Sequence, residues 1–139
     1  MKLKRKRRKR SRKHKVDWFS WKSKSLAASF SKRFKQVGDT TKLSAKEIKE
    51  WLLQAPAVCH YCNIGLDQTN FGVDHAIAVA RGGANAVSNL RQCCRGCNIA
   101  KGAYSEEQFK ALLALVTTWK DRGKALLAQL KRGFAFYRK

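Results

Sequence analysis

The chain has 139 residues, a length for one domain or one domain with an appendage, and 44% of them are hydrophobic, enough for a core. Its formal charge is +22, from 31 Lys and Arg against 9 acids, and a charge that far from zero attracts polyanions. No run approaches the roughly 20 apolar residues of a membrane span, and the basic start lacks the apolar stretch and cleavage site of a secretory signal.

The charge is uneven. Residues 1–35 hold 16 Lys and Arg and one acid, Asp17, so they carry +15, and the rest carries +7. The opening "MKLKRKRRKRSRKHK" has no hydrophobic periodicity and is expected to stay disordered until it meets phosphate. Lys4, Arg5, Arg7, Arg8 and Arg10 are its phosphate-binding candidates. A membrane-surface helix needs a broad apolar face, and these residues offer only Met1 and Leu3. The expected partner is therefore a nucleic acid, DNA with RNA still open, and not a membrane, with a cytoplasmic location.

In "VDWFSWKSKSLAASFSKRFKQV", residues 16–37, Leu26, Phe30, Phe34 and Val37 fall at helical spacing among Lys32, Arg33 and Lys35. This reads as a basic amphipathic helix lying on DNA or on the domain, or as a partly ordered linker. Ser44 and Glu47 form a capping box, which predicts a helix from Ala45 to Gln54, stopped by Pro56. Ile48, Trp51, Leu52 and Ala55 share its apolar face. A second capping box, Ser105 with Gln108, opens a longer helix with a stripe of Phe109, Leu112, Leu113, Val116 and Trp119. Gly123 is the expected break within it. Between the two boxes the sequence is rich in Cys, Gly and Asn and reads as short strands and turns.

That segment holds all five cysteines. The odd count and the absence of a secretory signal argue against a disulfide framework. Cys59–Cys62 ("CHYC") and Cys94–Cys97 ("CRGC") are two C-x2-C knuckles, a tetrahedral ligand set for zinc. Four thiolates leave no open position, so this zinc is structural. Cys93 is read as a small core residue. Between the knuckles, "VDHAIAVARGG" sets Asp74 and His75 in an apolar stretch, where two titratable groups need a reason, since an unpaired buried charge is costly.

The segment resembles the HNH nucleases. The resemblance rests on Cys59–Cys62, Asp74–His75, Gly82–Gly83–Ala84–Asn85, Asn89–Leu90, Cys94–Cys97–Asn98 and Lys101, in order, over residues 57–102. It implies an α+β fold: a ββα-metal core stapled by a four-cysteine zinc site and flanked by helices. Strands are expected near Gly72–Ala76 and Leu90–Cys93, with a helix from about Arg95. Residues 1–37 would be the basic arm and 38–139 the nuclease domain, ending in helices over 105–133.

The resemblance also assigns roles. His75 would be the general base. Asp74 and Asn98 would be ligands of a catalytic Mg²⁺ or Mn²⁺, and Asn89 would brace the loop that aims His75. The chain departs from the family at Asn98, where the name-giving pattern has His, and at Ala78, where Pro is usual. Arg95 and Lys101 would contact phosphate or be solvated helix residues. Asp74 and His75 pairing with each other, or with Lys101, is the bland alternative. The implied activity is metal-dependent hydrolysis of DNA phosphodiesters, as nicking of duplex DNA, in a homing or phage setting. The competing reading is a zinc-stabilised nucleic-acid-binding module without catalysis.

Overall fold

The computed structural model describes residues 17–132. Lys4, Arg5, Arg7, Arg8 and Arg10 lie outside them. The elements are α1 (Trp18–Gln36), α2 (Ala45–Gln54), β1 (Phe71–His75), β2 (Leu90–Cys94), α3 (Arg95–Lys101), α4 (Glu106–Thr118) and α5 (Lys120–Arg132), with single 3-10 turns at Val79–Arg81 and Val87–Asn89. The α+β class holds: helices surround one two-stranded antiparallel sheet.

The sole acid of the basic stretch starts α1. Asp17 accepts from the Phe19 amide at 3.1 Å and pairs with Lys49 of α2 at 2.8 Å. Gly38, at φ +81°, ends the helix. The Gly38 amide donates to Lys35 O and the Asp39 amide to Phe34 O, the two bonds of a Schellman motif. Both capping boxes form, at Ser44–Glu47 and Ser105–Gln108. The long C-terminal helix breaks at Trp119 rather than Gly123. Gly123 lies inside α5, where a Cβ would fall 1.7 Å from Val116 O. It permits the tight turn between α4 and α5 instead of interrupting a helix.

Register decides which side chains meet. Phe71, Val73 and His75 face one way with Cys94, Gln92 and Leu90, while Gly72 and Asp74 face the other way with Cys93 and Arg91. The first face meets α1 and α2: Phe30, Phe34, Leu43, Ile48, Leu52, Phe71, Val73 and Leu90 form one buried cluster. The second face meets α3 and α4: Cys59, Tyr61, Cys93, Cys97, Phe109 and Leu113 form another, with Cys94 at the strand end joining them. Cys93 is fully buried, as a small core residue. Of the three placements open to the helix of residues 16–37, it takes the one on the domain. The division of the chain at residue 37 runs between α1 and α2, whose side chains share one core.

Candidate nuclease site

The first knuckle is a hairpin-like turn. The Cys59 amide donates to Ile64 O and the Asn63 amide to Cys59 O. Asn63 takes a left-handed φ of 57°, a conformation Asn tolerates better than most residues. The second knuckle is the start of a helix. Cys94 ends β2 and caps α3, and its Sγ accepts from the Cys97 amide at 3.4 Å. The four sulfurs of Cys59, Cys62, Cys94 and Cys97 lie within 4.8 Å of one another. Zinc–sulfur bonds of about 2.3 Å in a tetrahedron put sulfurs about 3.8 Å apart, and Cys62 and Cys94 are 3.9 Å apart. The quartet fits zinc.

Its protons show the same demand. A hydrogen bond from Cys97 holds the Cys59 thiol down at about 4, and the same bond drives Cys97 well above the usual thiol range. Sulfurs this close cannot all ionise without a cation among them. Lys131 of α5 lies over Gly96, where a Cβ would come within 3.1 Å of its stem. Partial burial opposes its charge, but the thiolates of Cys97, Cys62 and Cys94 raise its ammonium above the ordinary lysine range.

Asp74 and His75 do not pair with each other. Neighbours on a strand point to opposite faces, so each has its own partners. Asp74 is 7% exposed, and its Oδ2 accepts from the Tyr61 hydroxyl and pairs with Lys101 at 3.0 Å. Lys101, expected at a phosphate or in solvent, is fully buried. Its ammonium also donates to the His75 carbonyl at 2.9 Å, so it holds the end of β1 and does not face a ligand. Arg95 is exposed at the first position of α3.

His75 is 3% exposed and lies edge to face against Phe30 and Phe34 of α1, with ring centroids 4.9 and 5.5 Å away. Its Nε2 is buried and has no hydrogen-bond partner among the described residues. Burial first, and then the nearby Arg33 charge, push its pKa down to about 4.

Asn89 clamps the loop after β1. Its Oδ1 accepts from the Ile77 amide at 2.9 Å, and its Nδ2 donates to Ile77 O and Ala84 O, each at 3.0 Å. Gly83 is required inside this clamp, since a Cβ there would fall 1.9 Å from Ile77 O. Asn85 ties the loop to Thr41 O at 2.7 Å. Ala78 sits at φ −60°, a value proline shares, so the family's proline would fit that dihedral.

Asn98 donates from Nδ2 to Val73 O at 3.1 Å. Asp74, His75 and Asn98 line one cavity of about 320 Å³ with Arg33, Gly102 and three residues of the loop, Ala78, Val79 and Ala80. An acid, an imidazole and an amide thus border one cavity from the end of β1 and from α3, Asn98 being one residue beyond Cys97 of the quartet. Residues 59–113 match the family model of the HNH endonucleases. The HNH match runs from the first knuckle into α4 and takes in two fifths of the chain. No curated protein and no solved structure compared with the chain matches it.

The matched segment takes in the quartet, Asp74, His75, Asn89 and Asn98, with Tyr61 and Lys101 that hold Asp74, but not the α1 side chains packed against His75. Tyr61, Phe30, Phe34 and Arg33 were not singled out for the site. Spacing did mark Phe30 and Phe34 as one helix face, without saying what that face would cover. Among the described residues, no helix is long and apolar enough to cross a membrane.

Proposed function

We propose that the chain is a metal-dependent endonuclease that hydrolyses DNA phosphodiester bonds and nicks duplex DNA. The observation that carries this reading is the single cavity shared by Asp74, His75 and Asn98 within the HNH segment. Asp74 and Asn98 would hold the catalytic Mg²⁺ or Mn²⁺. Among the described residues, Asp74 Oδ1 and the Asn98 side-chain oxygen carry no hydrogen bond, and hard oxygen donors suit such an ion, with its other positions left to water and phosphate. The bound ion supplies charge neutralisation at the phosphate.

The protein's own groups do the rest. With its pKa lowered to about 4, His75 is unprotonated at neutral pH and accepts a proton from the attacking water. Asn89 fixes the loop from Ile77 to Ala84 against the strand end, and Lys101 fixes the His75 carbonyl, so the ring has a defined position. The +15 of residues 1–35, shared between the basic opening and α1, supports backbone attraction without sequence reading. One such site per chain suits one cut at a time.

The non-catalytic binding module has its own support, the cover of Phe30 and Phe34 over His75 and the pairing of Asp74 with Lys101. Conversion of supercoiled plasmid to open circle separates the two. The nuclease reading expects nicking with Mg²⁺ or Mn²⁺, none with EDTA, and a loss of about 100- to 10,000-fold in His75→Ala. Plasmid binding without nicking under every metal condition supports the binding module. A structured RNA run in parallel tests the choice of DNA.

A further inference from the structure

We infer that Arg33 of α1 is a substrate-binding residue of the cleavage site, gripping the scissile phosphate from outside the HNH segment. The inference rests on the nuclease reading and adds a residue to it. Arg33 lines the cavity of Asp74, His75 and Asn98, and it is the one cation among the described residues that do so. It is exposed, and no hydrogen bond or ion pair to a described residue occupies its guanidinium. Asp74, the acid in that cavity, is taken by Lys101, so Arg33 is not there to neutralise the protein.

Helical spacing makes its position a consequence of packing. Phe30 and Phe34 are one turn apart on α1 and bear on the His75 ring. They fix the helix directly over the base. Arg33 is one residue before Phe34, so the contact that positions the imidazole also positions the guanidinium at the cavity rim. Across the cavity the chain is small, with Ala78, Ala80, Gly102 and Ala103, which leaves room for a phosphodiester. A guanidinium matches two phosphate oxygens with two parallel N–H bonds, geometry that a lysine ammonium lacks.

In the step served, the water oxygen bonds to phosphorus while the bond to the leaving strand end breaks. His75 takes the water proton, and solvent protonates the leaving oxygen. Arg33 holds the non-bridging oxygens as their charge redistributes, an interaction that tightens toward the transition state.

The test compares Arg33→Ala, Arg33→Lys and Lys32→Ala, an exposed neighbour on the same helix. Single-turnover nicking at saturating protein is measured in Mg²⁺, with plasmid affinity in EDTA and thermal melting alongside. Arg33→Ala is expected to cleave about 100- to 1,000-fold more slowly, to bind plasmid as Lys32→Ala does, and to melt like wild type. Arg33→Lys should recover part of the rate, and added guanidinium ion should speed Arg33→Ala but not Lys32→Ala. Equal rates for Arg33→Ala and Lys32→Ala, with wild type active, overturn this inference and leave the nuclease reading standing. A rate loss matched by an equal affinity loss also overturns it, because Arg33 would then be general charge. A wild type that never nicks overturns both.

Discussion

Replacing Lys101 by Met tests whether the buried pair holds the site together. The ammonium is wholly buried, 3.0 Å from Asp74 Oδ2 and 2.9 Å from the His75 carbonyl. At an effective dielectric constant of about 20, charges at that separation attract by about 5.5 kcal/mol. Methionine keeps the stem of the side chain as far as Cε and removes the ammonium. It leaves a carboxylate that is 7% exposed with Tyr61 as its hydrogen-bond donor and no cation. Breaking a buried pair from one side typically costs about 3–5 kcal/mol. Against a total stability of about 5–15 kcal/mol, that is enough to leave a large unfolded fraction in mild denaturant. Urea unfolding in excess zinc, followed by tryptophan fluorescence, reads the loss. Adding Asp74→Asn to Lys101→Met should recover much of it, since the stranded charge is gone. A single variant within about 1 kcal/mol of wild type, or a double variant no better than the single, would refute the reasoning.

Three further outcomes follow from the same geometry. Cys97→Ser should drop bound zinc well below the one ion per chain expected of wild type by elemental analysis, and it should expose Trp and Phe side chains, because structural zinc contributes on the order of 10 kcal/mol to folding. Gly83→Ala should cost about 3 kcal/mol, the upper end of overpacking, because the atom it meets, Ile77 O, is backbone and cannot turn aside; Gly82→Asn, at φ +78° in open space, should cost far less, and urea midpoints compare the two. His75 has a folded pKa of about 4 against an ordinary 6.5, so as pH falls the unfolded chain takes up its proton first. The stability due to neutral His75 is present above about 6.5 and is lost down to about 4, about 3 kcal/mol in all. The difference between wild type and His75→Gln at each pH, with zinc held in excess, should show that slope, and a flat difference would contradict it.

Local signals were legible in the sequence, and most contacts between distant residues were not. Ser44–Glu47 and Ser105–Gln108 capped their helices because a capping box is complete within four residues. The clustering of the four cysteines was readable because one tight turn suffices to aim each pair. The strands at Phe71–His75 and Leu90–Cys94 fell within a residue of expectation. Pairing of Asp74 with Lys101 stood as the bland alternative and is what the structure has; what the sequence hid is the full burial of that lysine, a residue almost never buried unless paired. The seat of Phe30 and Phe34 on His75 was invisible because periodicity names a face but not what it meets. The helix break moved from Gly123 to Trp119 because that glycine answers a close approach, which no local propensity reports.

The cover that α1 lays over His75 bears on how the matched segment can be moved between proteins. The matched residues 59–113 begin after α1 and α2 have ended. A graft of that stretch alone would leave behind Phe30, Phe34, Leu43, Ile48 and Leu52, more than half of the buried cluster on one face of its sheet. The recipient would receive the cysteine knuckles intact and an imidazole open to water on the side where two phenylalanines now stand. The smallest portable piece therefore starts at Asp17, with the acid that caps α1, rather than at the first cysteine.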